Sequence, residues 1–146
     1  VIAVAPVPAD HVNRYGIIAG ECISSPSDNS EGEGAIWKVT GLVEKPRPED
    51  APSHLFIVGR YLLSPKIMEL LATQGPGAGN EIQLTDAMER LLAEEEMYAL
   101  VIDAEEGCDT GTPAAWAATN ARMALSDQSS GAAFKEALGS YANRIG

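Results

Sequence analysis

Three prolines within seven residues, Pro46, Pro48 and Pro52, stand directly behind the strand-like run Ala35–Val43. A proline has no N–H to give to a sheet ladder, so the run cannot continue past this point. That stop fixes Glu44 and Lys45 at the end of a strand. Neighbouring strand residues point to opposite faces, and at a strand end they present an acceptor and a cation close to one point. A carboxylate can hold sugar hydroxyls, and an ammonium neutralises a phosphate as a compact point charge. Such a pair on its own is more often plain solvated surface, so its meaning depends on the rest of the chain.

Four other runs read as strands: Val1–Val7, Tyr15–Ala19, Leu55–Leu63 and Met97–Ile102. Ser24–Gly34 is polar and glycine-rich and reads as a mobile loop between strands. Ser64-Pro65 has the form of a cap followed by proline in the first helical turn. Gly75–Gly79 reads as the stop of that helix; it lacks the Gly-Lys-Ser/Thr of a phosphate loop. Leu84, Ala87, Met88, Leu91 and Leu92 recur at helical spacing, with Glu89, Arg90, Glu94, Glu95 and Glu96 opposite. Thr85 is the expected cap of this helix and Asp86 its first-turn acid. Thr112-Pro113 opens a helix to about Leu125, and Ala132–Ile145 forms another with Phe134, Leu138 and Tyr141 on one side. Strands cluster early and interleave with helices later, which reads as α/β with a mixed sheet. Residues 1–125 form the main part and 126–146 a linker and helix.

With 10 basic and 21 acidic residues the net charge is −11, unfavourable for nucleic acid or an anionic membrane surface. No apolar stretch is long enough to span a bilayer. Cys22 and Cys108 lie far apart without a CxxC spacing, which favours a reducing cytoplasmic setting over a zinc site. His11 and His54 fall in loops with no nucleophile beside them, so covalent catalysis finds no support. The opening residue is not Met, and the chain starts inside a strand-like run. It is therefore expected to be the later part of a longer protein. Cys108-Asp109-Thr110-Gly111-Thr112 leads into a helix N-terminus, where Asp109 either caps the helix or holds a hard divalent cation beside a phosphate.

The runs Arg14-Tyr15-Gly16-Ile17-Ile18, Gly41-Leu42-Val43-Glu44-Lys45-Pro46, Ile57-Val58-Gly59-Arg60-Tyr61 and Gly79-Asn80-Glu81-Ile82-Gln83-Leu84-Thr85-Asp86-Ala87, in this order over roughly residues 1–125, resemble the later half of the bacterial UTP–glucose-1-phosphate uridylyltransferases. The resemblance implies a Rossmann-like nucleotide-diphospho-sugar transferase fold that lacks its N-terminal nucleotide-binding half. It implies that the backbone at Gly16 and Ile57 borders the sugar. Glu44 would hold sugar hydroxyls, and Lys45 would hold the sugar phosphate as the catalytic cation. Asp109 would be the ligand of a Mg2+ cofactor. Thr110-Gly111-Thr112, however, look more like the thymidylyltransferase cousins. The implied partners are UTP, glucose 1-phosphate and UDP-glucose, in a cytoplasmic homodimer or homotetramer. Three alternatives stand beside this: a thymidylyltransferase-like enzyme, a non-catalytic sugar-phosphate-binding module, and an incomplete sheet with an exposed edge.

Overall fold

The computed structural model describes residues 1–104, 108 and 110–145. Two compact units divide the chain, Val1–Gly107 and Cys108–Gly146. This boundary is set by compactness and falls earlier in the chain than the 125/126 division drawn from the motifs.

The first unit is built on β1 (Ile2–Pro6), β2 (Gly16–Ser24), β3 (Ile36–Glu44), β4 (Leu55–Tyr61) and β5 (Met97–Val101), with helices α1 (Lys66–Ala72) and α2 (Leu84–Leu92). The sheet is mixed, and it closes into a barrel in the order β1-β4-β2-β3-β5. The closing contact between β1 and β5 is parallel, Ile2 lying opposite Ala99, and the other contacts are antiparallel. Closure removes the exposed edge expected of an incomplete sheet, although the β2–β4 seam holds by a single register pair, Ile17 with Phe56.

β2 runs to Ser24, five residues beyond the expected strand. The register slips between Ala19 and Gly20, and a Cβ at Gly20 would collide with the Lys38 carbonyl. Gly20 is thus a bulge that lets the ladder go on past Ala19. The following segment carries its own bonds, among them Ser25 Oγ to the Asn29 carbonyl (2.9 Å), Trp37 Nε1 to the Ser30 carbonyl (2.7 Å) and Gly34 N–H to the Val101 carbonyl (2.8 Å).

The core joins Ile2, Val4, Ile18, Val39, Leu42, Leu55, Met97 and Val101 of the strands to Ile67, Leu70, Met88 and Leu91 of the helices. Burying each large aliphatic side chain contributes about 1.5–3 kcal/mol. The stripe on α2 points inward as its spacing requires, Ala87, Met88 and Leu91 being buried and Leu84 and Leu92 half-buried. Two expected caps are corrected. Pro65 occupies the cap of α1, and the Ser64 hydroxyl donates to Glu95 Oε1 (2.9 Å). Gln83 occupies the cap of α2, so Thr85 lies inside the helix with its hydroxyl free for another task.

The second unit contains α3 (Pro113–Ser126) and α4 (Gly131–Ile145). Thr112 caps α3 as expected, its hydroxyl accepting from the Ala115 N–H (3.2 Å). In the turn between the helices, Asp127 Oδ1 accepts from the N–H and hydroxyl groups of both Ser129 and Ser130. These four bonds hold its carboxyl well below the usual range, at about 2.

Candidate functional site

The β2–β3 ladder brings Gly16 opposite Glu44 at one end of the barrel. The Lys45 N–H then donates to the Tyr15 carbonyl (3.0 Å), extending the pairing by one residue. Lys45 has a φ of 49°, in the left-handed region that a non-glycine residue seldom adopts. Pro46 follows at once, so the reversal that ends the strand falls on Lys45 itself. Such conformations cost on the order of 1–3 kcal/mol and persist where the surroundings enforce them.

β4 supplies Ile57 and Tyr61, and the start of α2 supplies Gln83, Leu84 and Thr85. With Arg14, Tyr15, Gly16, Glu44 and Lys45 they line a cleft of about 360 Å³. A Cβ on Gly16 would lie 3.0 Å from Glu44 Oε2, 3.2 Å from Ile57 Cδ1 and 3.3 Å from Thr85 Oγ1. Glycine at this position therefore keeps the floor of the cleft open, and three strands and a helix meet around it.

Glu44 is largely buried, its side chain 16% exposed, and its Oε2 accepts from the Thr85 hydroxyl at 2.8 Å. That bond holds the carboxylate in one orientation while leaving lone pairs for a further donor. Lys45 Nζ stands 3.9 Å from Glu44 Oε1 and its side chain is 56% exposed, so the contact is loose and the ammonium can reach an incoming anion. Burial raises the Tyr61 phenol above its ordinary value, and the Glu44 charge adds to the shift. Tyr61 thus enters the cleft as an O–H donor at neutral pH.

The start of α2 is fastened from behind. Gln74 Nε2 donates to the Gln83 carbonyl at 2.7 Å, while Gln74 Oε1 is buried without a hydrogen-bond partner among the described residues. Arg90 donates to the Leu70 carbonyl (2.9 Å) and to Thr73 Oγ1 (3.3 Å), tying α2 to the end of α1.

Gly16, Glu44, Lys45 and Ile57, picked out in the sequence, therefore meet in one cleft. Asp109, the expected metal ligand, lies outside the described residues. Among those described, no group of three or more His, Cys, Asp or Glu side chains is placed to hold a metal ion. Sequence reasoning missed the partnership of Thr85 with Glu44 and the presence of Tyr61 in the cleft. Both positions lay inside the motifs, but nothing local marks a contact with a residue 41 positions away.

The model of the nucleotidyl transferase family matches residues 1–125. The UTP–glucose-1-phosphate uridylyltransferase of Streptococcus pneumoniae serotype 4 is 52% identical over 98 residues, 67% of this chain and 30% of that protein. Among solved structures, a UTP-bound UGPase from Acinetobacter baumannii superposes with a TM-score of 0.72 at 34% identity, covering 94% of this chain and 44% of that one. A UDP-glucose pyrophosphorylase complexed with UDP-glucose gives a TM-score of 0.60 at 38% identity, covering 69% and 35%. The chain thus spans less than half the length of each of these relatives.

Proposed function

From the premise that the chain belongs to the nucleotidyl transferase family, we propose that it forms the sugar-phosphate half of an enzyme making UDP-glucose and pyrophosphate from UTP and glucose 1-phosphate. The observation that carries this reading is the convergence of Glu44, held by Thr85, with the reachable ammonium of Lys45 around the open floor at Gly16. Support from relatives comes from the names of the S. pneumoniae enzyme and of the UTP-bound and UDP-glucose-bound structures.

In this reaction a phosphate oxygen of glucose 1-phosphate forms a bond to the α-phosphorus of UTP. The bond from that phosphorus to the β-phosphate bridging oxygen breaks, and pyrophosphate leaves with the electron pair. Two anions must be brought together in line, so the barrier is chiefly repulsion and misorientation. Glu44 would accept hydroxyl hydrogens of the sugar and fix its rotation. The Gly16 and Ile57 backbones would border the ring. Lys45 would neutralise the sugar phosphate and hold its attacking oxygen. The nucleotide contacts belong to residues outside this chain's motifs.

Magnesium is the expected cofactor and Asp109 its one candidate ligand. Among the described residues no cluster of His, Cys, Asp or Glu stands ready to share the ion with it. We assign residues 1–125 to the sugar-phosphate part and 126–146 to a linker and helix. We further place the protein in the cytoplasm as a homodimer or homotetramer. Cys22 is a free thiol, and among the described residues no helix is long and apolar enough to cross a membrane.

The deciding experiment is pyrophosphate release by the whole polypeptide carrying this sequence, given glucose 1-phosphate with UTP or dTTP. Turnover with UTP supports the proposal, and preference for dTTP transfers it to the thymidylyl cousins. Tight glucose 1-phosphate binding with neither nucleotide consumed would leave a binding module. Full magnesium-dependent activity in Asp109→Asn would remove that residue as the metal ligand.

A further inference from the structure

We propose that Arg14 is a second phosphate-binding residue of this cleft, acting with Lys45; the inference rests on the sugar-phosphate reading above. Arg14 ends the short 3-10 helix Ala9–Arg14 and lines the cleft with Lys45 and Glu44. Its guanidinium has no ion-pair or hydrogen-bond partner among the described residues. The Tyr15 carbonyl accepts the Lys45 N–H at 3.0 Å, so the Arg14-Tyr15 segment runs alongside Lys45 at the strand ends.

Charge decides the assignment. A phosphate monoester carries between one and a half and two negative charges at neutral pH. Lys45 alone is balanced by the neighbouring carboxylate of Glu44, and the chain as a whole carries −11. Without Arg14 the cleft offers a dianion no net attraction. With it the lining becomes positive, and the planar guanidinium adds a two-pronged donor that fits phosphate oxygens. Two like charges lining one cleft repel each other when it is empty. A bound phosphate turns that repulsion into a shared attraction, which explains why two of the chain's ten cations line this one cleft.

The test measures KM for glucose 1-phosphate and for UTP separately in the whole polypeptide, for Arg14→Gln, Arg14→Lys and Lys45→Gln. Arg14→Gln is expected to raise KM for glucose 1-phosphate about five- to twentyfold, as loss of a partly exposed charged hydrogen bond does. KM for UTP should stay within twofold. Arg14→Lys should recover part of the loss, because the charge returns without the fork. Added salt should narrow the gap between Arg14→Gln and the unsubstituted protein. A KM for glucose 1-phosphate within twofold of normal in Arg14→Gln, beside a tenfold rise in Lys45→Gln, would overturn the role of Arg14 and leave the sugar-phosphate site standing. Equal rises for both substrates would also overturn it, showing a general structural effect. If the unsubstituted protein neither binds nor turns over glucose 1-phosphate, the proposed function fails and Arg14's role fails with it.

Discussion

The two units of the chain solve burial differently. In the barrel unit, side chains of Ile, Leu, Met and Val are almost wholly enclosed, among them Ile2, Val4, Ile17, Ile18 and Met88. In the helical unit, α3 has no buried residue, and Trp116, Met123, Leu125, Leu138 and Tyr141 are all exposed. The first unit rests on interior packing. The second rests on local devices: a threonine cap, a proline in the first turn and an aspartate gripping two serines. The cleft belongs to the packed unit, where a dense core can hold strand ends rigidly enough to keep Glu44 and Lys45 in register.

Substitutions can sharpen or break this contrast. The largest effects should fall in the barrel. Lys45→Ala in the whole polypeptide should remove about 2–4 kcal/mol of transition-state stabilisation, a thirty- to thousandfold loss in kcat/KM. Near-normal turnover by that variant would show that Lys45 does not hold the phosphate. Met88→Ala, which empties a site in the core, should lower stability by about 2–5 kcal/mol. Met123→Ala on α3 should change it by less than about 0.5 kcal/mol, as at other exposed sites. Equal losses from the two methionine variants in denaturant unfolding would abolish the contrast.

Smaller effects test the local devices. Thr85→Val removes the hydroxyl that orients Glu44 and should weaken glucose 1-phosphate binding by about 1–2 kcal/mol, read by calorimetry, with little change in melting temperature. Thr112→Ala should cost about 1 kcal/mol of helix stability, visible as amide exchange confined to the first turn of α3. The smallest effect concerns pH. Asp127 is held at about 2, below its ordinary value, so its contribution is complete above about pH 4 and is lost as pH falls through about 2. Asp127→Asn should flatten the pH dependence of the second unit's circular dichroism in that window. An unaltered profile would mean that the serine bonds add nothing to folding.

Much of the barrel's anatomy was legible in the residue order. The prolines after Val43 fixed the strand end, and the period of Leu84, Ala87, Met88 and Leu91 fixed the helix and its inner face. Gly16, Glu44, Lys45 and Ile57 were legible through motif order. Barrel closure was not, because strand pairing partners leave no local trace. Nor was the length of β2, because the bulge at Gly20 is defined by the facing backbone of Lys38 and not by its own neighbours. Ser64 and Thr85 misled because a hydroxyl before or within a first helical turn satisfies the capping rule equally well whether it binds its own helix or a distant carboxylate.

The parallel seam between β1 and β5 sets an order of events in folding. The β2–β3 hairpin can form from neighbours in sequence, but Ile2 must wait for Ala99. Closing so long a loop costs chain entropy before any contact repays it, so the seam should be among the last parts to form. On a ribosome, β1 emerges roughly a hundred residues ahead of its partner, and at about 5–20 residues per second it stays without that partner for several seconds. During that interval its apolar ladder is open to other chains, and the rate of synthesis becomes a determinant of how much protein reaches the closed barrel.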